Sequence, residues 1–195
     1  MPTEQRMARI RSVVARRQHG LVVVLQDIHD PHNAEAVFRS CDAFGVGEVH
    51  IVFEKEPPFN PHKVGKSTSS SANKWIDFHT YASITDCVEY LRTYGYQIVA
   101  TVADPSATPL AGADLRGERM ALLFGNEHTG LSTEARRLVD LEVTIPLVGM
   151  VRSLNLSVAA AICLYEATRQ RERTPERYQL AAEVQANLVE NYAQR

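Results

Sequence analysis

Three short segments of the chain carry groups that could do chemistry together. The first is Asn33-Ala34-Glu35-Ala36-Val37-Phe38-Arg39, which sets an amide and a guanidinium six residues apart. Ala34, Val37, Cys41 and Phe44 recur at helical spacing and form a core-facing stripe. Arg39 lies about 200° around such a helix from Val37, at roughly 100° per residue, and so points away from the stripe. Asn33 is well placed as an N-cap, and Arg39 can pair with Glu35 four residues back. On its own, this segment reads equally as a capped helix with a solvated face.

The second segment is Leu122-Leu123-Phe124-Gly125-Asn126-Glu127-His128-Thr129-Gly130-Leu131-Ser132. An apolar strand runs into a loop with two glycines and then a helix opened by Ser132. Gly125 allows close backbone approach to a ligand, and Glu127 would sit at the strand's carboxyl end. No Lys-Ser or Lys-Thr follows the glycines, so this is not a phosphate-binding P-loop. The third segment runs from Ile145-Pro146 to Arg152-Ser153-Leu154-Asn155-Leu156-Ser157 and enters a helix that is small or apolar all round. Opening a buried helix with Ser153, Asn155 and Ser157 is costly unless those groups find partners.

The elements that position these groups follow from periodicity. Residues 7–18 read as a helix with Gly20 as its C-cap. Leu21-Val22-Val23-Val24-Leu25 is a continuous, β-branched apolar run, the pattern of a strand buried on both faces. A helix over about 33–44 and a strand over 49–53 follow. Residues 54–73, rich in proline and serine and carrying Lys63 and Lys66, read as a long loop, and such loops inside compact domains are usually functional or disordered. Further strands are predicted at 75–78, 97–103, 120–124 and 142–145. Helices are predicted at 84–94, after Ser132, from 155 to about 173, and after Pro175. This alternation argues for an α/β domain with a mainly parallel sheet flanked by helices. Ligands in such sheets bind beside the carboxyl ends of the strands, which directs attention to the loops after Ala103, Phe124 and Ile145.

Composition narrows the class. A chain of 195 residues is one domain with room for short terminal additions. No apolar run reaches the roughly 20 residues of a membrane span, and the arginine-rich start has no signal core. Cys41, Cys87 and Cys163 are too far apart for a metal-site spacing and odd in number, as expected of a reduced, cytoplasmic protein. The net charge of −2 argues against nucleic acid, yet its distribution is uneven. Arg6, Arg9, Arg11, Arg16 and Arg17 stand against only Glu4 at the start, and Arg169, Arg171 and Arg173 cluster near the far end.

Taken together, the three segments resemble the SPOUT superfamily of RNA methyltransferases, in its SpoU/TrmH branch. The pattern is Asn33…Arg39, then Gly125-Asn126-Glu127-His128-Thr129-Gly130, then Ile145-Pro146…Ser153-Leu154-Asn155-Leu156-Ser157, in that order. Met7-Ala8-Arg9-Ile10, His29-Asp30-Pro31-His32-Asn33 and Gly149-Met150-Val151-Arg152 are similar to the subgroup that methylates the ribose of guanosine 18 in tRNA. Asp30 stands where that subgroup usually carries lysine.

The resemblance implies a division into a basic N-terminal helix (1–20), a methyltransferase domain (21–172) closed by a trefoil knot, and a C-terminal helical extension (173–195). It also implies a homodimer, S-adenosylmethionine as methyl donor, no metal, and tRNA as partner. Arg39, Asn33, Glu127, Ser153 and Asn155 would form the reacting set. The backbone around Thr101, Gly125, Ile145 and Leu154 would hold the cofactor. Arg9, Arg11, Arg16, Arg17, Arg169 and Arg171 are the candidates for phosphate contact. The same reaction at another tRNA or rRNA nucleotide, and a dimeric RNA-binding module without catalysis, remain alternatives. An ordinary nucleotide-binding enzyme ranks last, because no Gly-x-Gly-x-x-Gly follows the first strand.

Overall fold

The computed structural model describes residues 2–64 and 72–195; Lys66 and the Ser67 to Ser71 run lie outside the described residues. Seven strands form one sheet: β1 (Leu21–Gln26), β2 (Glu48–Val52), β3 (Asp77–Tyr81), β4 (Gln97–Thr101), β5 (Thr108–Pro109), β6 (Met120–Phe124) and β7 (Leu141–Thr144). All neighbours are parallel, in the order β3-β2-β1-β6-β4-β7-β5. The two central strands, β1 and β6, are buried along their whole lengths. Burying each of their Val and Leu side chains stabilises the fold by roughly 1.5–3 kcal/mol, which is why unbroken apolar runs sit there.

Helices cover both faces. On one lie α2 (Pro31–Ala43) and α5 (Leu156–Arg171), whose Val37, Phe38, Ala160 and Leu164 pack on Leu21, Val23 and Leu25. On the other, α3 (Ile84–Thr93) and α4 (Thr133–Leu138) bring Val88, Leu91 and Ala135 against Val22 and Val24. α1 (Glu4–Val14) and α6 (Ala182–Gln194) form a small separate core from Ile10, Val14 and Tyr192, joined by Trp75. No helix among the described residues is long and apolar enough to cross a membrane.

The structure corrects several local expectations. Asp30, not Asn33, caps α2: its Oδ1 accepts from the His32 N–H at 2.9 Å, and Pro31 follows at the first helical position. Proline there needs no donor and presets the helical φ, so the helix starts two residues earlier than its apolar stripe suggests. α1 ends at Val14 with Ala15 as C-cap, not near Gly20. The strand expected at 75–78 is β3, shifted to Asp77–Tyr81, and Trp75 belongs to the small terminal core instead. Ser132 does cap α4, accepting from the Ala135 N–H at 3.0 Å.

Two of the arginines assigned to phosphate are buried. Arg17 donates to Asp42 Oδ1 at 2.6 Å and to the carbonyls of Val46 and Trp75, both at 3.1 Å. Arg171 donates to the carbonyls of His19, Gly20 and Gly117 and stacks 4.4 Å over the Tyr178 ring. Burial pulls its guanidinium down to a pKa of about 10. Burial keeps both from a ligand on the surface; both tie loops at the bottom of the sheet and around α1. Arg9, Arg11, Arg16 and Arg169 are exposed. Cys41, Cys87 and Cys163 are free and buried.

Candidate active site

The position of the site follows from the strand order. From β1 the chain proceeds outward through β2 and β3, then crosses back to β4 and β6 on the other side. Val24 pairs with Leu123 and Leu25 with Phe124, so β1 and β6 end side by side. The helix after β1 packs on one face and the helix after β6 on the other. Their departing loops must therefore separate, opening a crevice at the carboxyl ends of the strands.

Glu127 projects into that crevice from the loop after β6. Its carboxylate accepts from Asn33 Nδ2 at 2.8 Å, from the His29 N–H at 2.9 Å and from the Asp30 N–H at 3.3 Å. Burial opposes its charge, but the bonds from Asn33, His29 and Asp30 together outweigh that cost and hold its pKa below the usual carboxylate range. Asn33 is free to make this bond because Asp30 has taken the capping role. On its other side Asn33 Oδ1 accepts from Asn155 Nδ2 at 3.0 Å. Asn155 is the N-cap of α5 and accepts from both the N–H and the hydroxyl of Ser157, at 2.8 and 2.6 Å. One chain of hydrogen bonds thus links the three segments: Glu127 to Asn33 to Asn155 to Ser157. At the opening of α5, Asn155 and Ser157 thus find partners, while Ser153 is exposed to solvent.

The loop carrying Glu127 is stiff. Asn126 and Gly130 exchange backbone bonds of 3.1 and 2.9 Å, and Asn126 Oδ1 accepts from the N–H groups of His128 and Thr129. A Cβ on Gly125 would lie 2.4–2.6 Å from the Gly130 and Leu131 backbone. The close approach that requires glycine there is therefore to its own loop, although Gly125 also faces the crevice.

Beside Glu127 the crevice widens to a cleft of about 1040 Å³ along the ends of β4, β6 and β7. Thr101, Gly125, Glu127, Ile145, Ser153 and Leu154 all line it, together with Val102, Leu147, Val151 and Leu156. Thr101 Oγ1 lies 3.4 Å from Cys163 Sγ, tying β4 to α5. Apolar walls with the carboxylates of Glu127 and Asp104 suit an aromatic ring and a cationic centre, and the volume suits a small-molecule cofactor. Arg136, held bidentate by Glu142 at 2.6 Å, and Asp104 close one edge. Among the described residues no group of three or more His, Cys, Asp or Glu side chains is placed to hold a metal.

Arg39 stands apart. It is half exposed on α2, pairs with Glu35 at 3.6 Å, and does not line the cleft of its own chain. Near the cleft, Val148, Met150 and Val151 are exposed, as are Val158 and Tyr165 on α5. Sequence reasoning missed Asp27, Glu56 and the His29 and Asp30 amides. Backbone donors leave no residue signature, and Glu56 acts across a distance of 70 residues from Asn126.

Comparison with known proteins follows the same geometry. The SpoU rRNA Methylase family model matches residues 20–165. The chain is 41% identical over 86% of its length to the tRNA (guanosine(18)-2'-O)-methyltransferase of Escherichia coli K12, covering 71% of that protein. Among solved structures it is similar to the A. aeolicus TrmH/SpoU tRNA modifying enzyme, with a TM-score of 0.85 and 31% identity over 98% of this chain and 96% of that one. It also resembles the SpoU methyltransferase AviRb from Streptomyces viridochromogenes in complex with the cofactor AdoMet, with a TM-score of 0.66 and 30% identity over 83% of this chain and 61% of that one.

Proposed function

The chain belongs to the SpoU rRNA Methylase family, and from that premise we propose that it methylates the 2′-hydroxyl of a ribose in tRNA, at guanosine 18. The observation that carries this reading is the bonded chain Glu127–Asn33–Asn155 at the mouth of a cofactor-sized cleft. S-adenosylmethionine bound there would supply the methyl group: its sulfonium carbon–sulfur bond would break to leave a neutral thioether as the ribose oxygen bonds the methyl, the hydroxyl proton passing by way of the substrate phosphate to solvent. The backbone at Thr101, Gly125, Ile145 and Leu154 holds the cofactor's uncharged parts. Glu127 fixes Asn33, and Asn33 and Asn155 fix the start of α5 beside Ser153. Holding two reactants in line in this way supplies the larger part of the acceleration.

Arg39 acts on the substrate. A guanidinium holds its proton too tightly to be a good base, so its role is to hold the substrate phosphate and stabilise the oxyanion as it develops. It reaches a reacting ribose in a homodimer, where each site takes residues from both subunits. The exposed apolar residues around Met150 and along α5 support such a contact. Residues 21–172 are the catalytic domain, closed by the trefoil knot of the family. Residues 1–20 and 173–195 pack together as an extension whose exposed Arg9, Arg11 and Arg16 meet phosphate, with Arg169 nearby in sequence. The work is cytoplasmic and uses no metal.

The test is transfer of labelled methyl from S-adenosylmethionine to tRNA lacking its own modification, with wild type beside Arg39→Ala. Label at the ribose of guanosine 18, reduced by about 10²–10³ in the variant, is the expected result. Transfer to ribosomal RNA but not to tRNA overturns the substrate, and full activity in the variant overturns the role of Arg39.

A further inference from the structure

A second set of polar contacts lies behind Glu127, and the proposed reaction does not use it. Asp27, the residue after β1, has φ +51, the only non-glycine with positive φ among the described residues. Such a conformation is strained and persists only where the surroundings impose it. Asp27 is 6% exposed, and its Oδ1 accepts from three successive N–H groups, those of Glu54, Lys55 and Glu56, at 2.7, 2.8 and 3.2 Å. Its own carbonyl accepts from Asn126 Nδ2 at 2.7 Å. The turn it holds aims the Glu56 carboxylate back at the site. Glu56 Oε1 lies 3.3 Å from Asn126 Nδ2, and Oε2 lies 3.1 Å from His29 Nδ1.

These bonds close a ring. Asn126 is the neighbour of Glu127, and His29 is the residue whose N–H holds Glu127. Glu56 therefore spans the two loops, after β1 and after β6, between which the Glu127 carboxylate and Asn33 meet. Resting on the reading above, we propose that Glu56 is a positioning residue for methyl transfer: held by strained Asp27, it fixes the spacing of the two loops and so the placement of Glu127 against Asn33. Glu56 does not itself line the cleft, and its bonds go to Asn126 and His29 on either side of Glu127, so its effect passes through the two loops that place Glu127. A carboxylate suits the post because it accepts from an amide and an imidazole at once.

The experiment measures kcat and KM for methyl transfer to tRNA, and cofactor affinity by calorimetry, in Glu56→Ala, Glu56→Gln and His29→Ala. Glu56→Ala is expected to lower kcat by about tenfold, as a misplaced reacting group does, with the cofactor Kd unchanged. Glu56→Gln keeps an acceptor for Asn126 and a donor for a neutral imidazole, and should recover most of that loss. His29→Ala, at a half-exposed side chain, should show a smaller fall that adds nothing in the Glu56→Ala background. Wild-type kcat in Glu56→Ala, a loss confined to cofactor affinity, or no recovery in Glu56→Gln would overturn the proposal. Should Glu56→Ala fail to fold, His29→Ala at wild-type kcat would overturn it. A wild type that transfers methyl to no RNA would remove the underlying reading and this role together, whereas an active wild type with any of the other results removes only this role.

Discussion

At the amino-terminal end of the strands, Arg171 is 2% exposed and donates only to carbonyls, those of His19, Gly20 and Gly117. At the carboxyl-terminal end, Glu127 and Asn155 keep one side open to the crevice and are held mainly by side chains and loop amides. Both ends solve the same problem, satisfying polar groups where a packed sheet gives way to loops. The first solution is closed: one long buried side chain ties α5 to two loop segments, away from solvent. The second is open, and its members come from three segments far apart in sequence, so no one segment can be removed without releasing the others. A satisfied buried charge stabilises an arrangement; a half-satisfied one keeps it ready for a ligand.

The contrast can be broken by exchanging the expected effects. The largest is at the open end. Glu127→Gln presents an amide to three donors, and kcat should fall by about a hundredfold. Its stability should also depend on pH. A folded-state pKa below the ordinary value means that the charged form stabilises the fold above that value, and the benefit is lost as pH falls through the folded pKa. The stability gap between wild type and variant, followed by denaturant unfolding, should be constant from about pH 5 to 8 and narrow below about pH 4.

The next effect is at the closed end. Arg171→Met leaves three carbonyls without a donor and should destabilise by about 3 kcal/mol, with activity per folded molecule within about twofold of wild type. Comparable losses of activity in both variants, at equal stability, would erase the distinction. The smallest effect tests the boundary between them. Asp30→Ala removes the cap of α2 but keeps the N–H that holds Glu127, so it should cost about 1 kcal/mol in unfolding experiments and little activity.

Much of this organisation is legible in the sequence, and the failures have physical causes. The runs at Leu21–Gln26 and Met120–Phe124 are read correctly because strands buried on both faces leave no polar position to confuse the pattern. Ser132 is found as a cap because Glu134 follows it in the first turn of the helix. Asn33 is mistaken for a cap because Asp30 and Pro31 supply an equally good start three residues upstream, and only the fold shows which amide or carboxylate the helix used. Arg17 and Arg171 look like phosphate ligands because a one-dimensional reading counts charge without burial. The site residues of the three segments share a signature of type and spacing, and five of them, Gly125, Glu127, Ile145, Ser153 and Leu154, line one cleft. Glu56 and Asp27 have none, since their meeting depends on β2 ending beside β1.

The long excursion between Glu56 and Lys74 is fastened at both ends by groups outside it. Asp27 grips its entry, while Arg17 and Tyr192 hold the Trp75 carbonyl and Arg195 holds that of Lys74. Chain length within it is therefore uncoupled from the placement of Glu127. Doubling the number of residues in such a closed excursion costs only about 0.6 kcal/mol, so this is where the molecule can accept inserted sequence. Residues added between these two anchored ends would lengthen the chain while leaving the geometry of transfer as it stands.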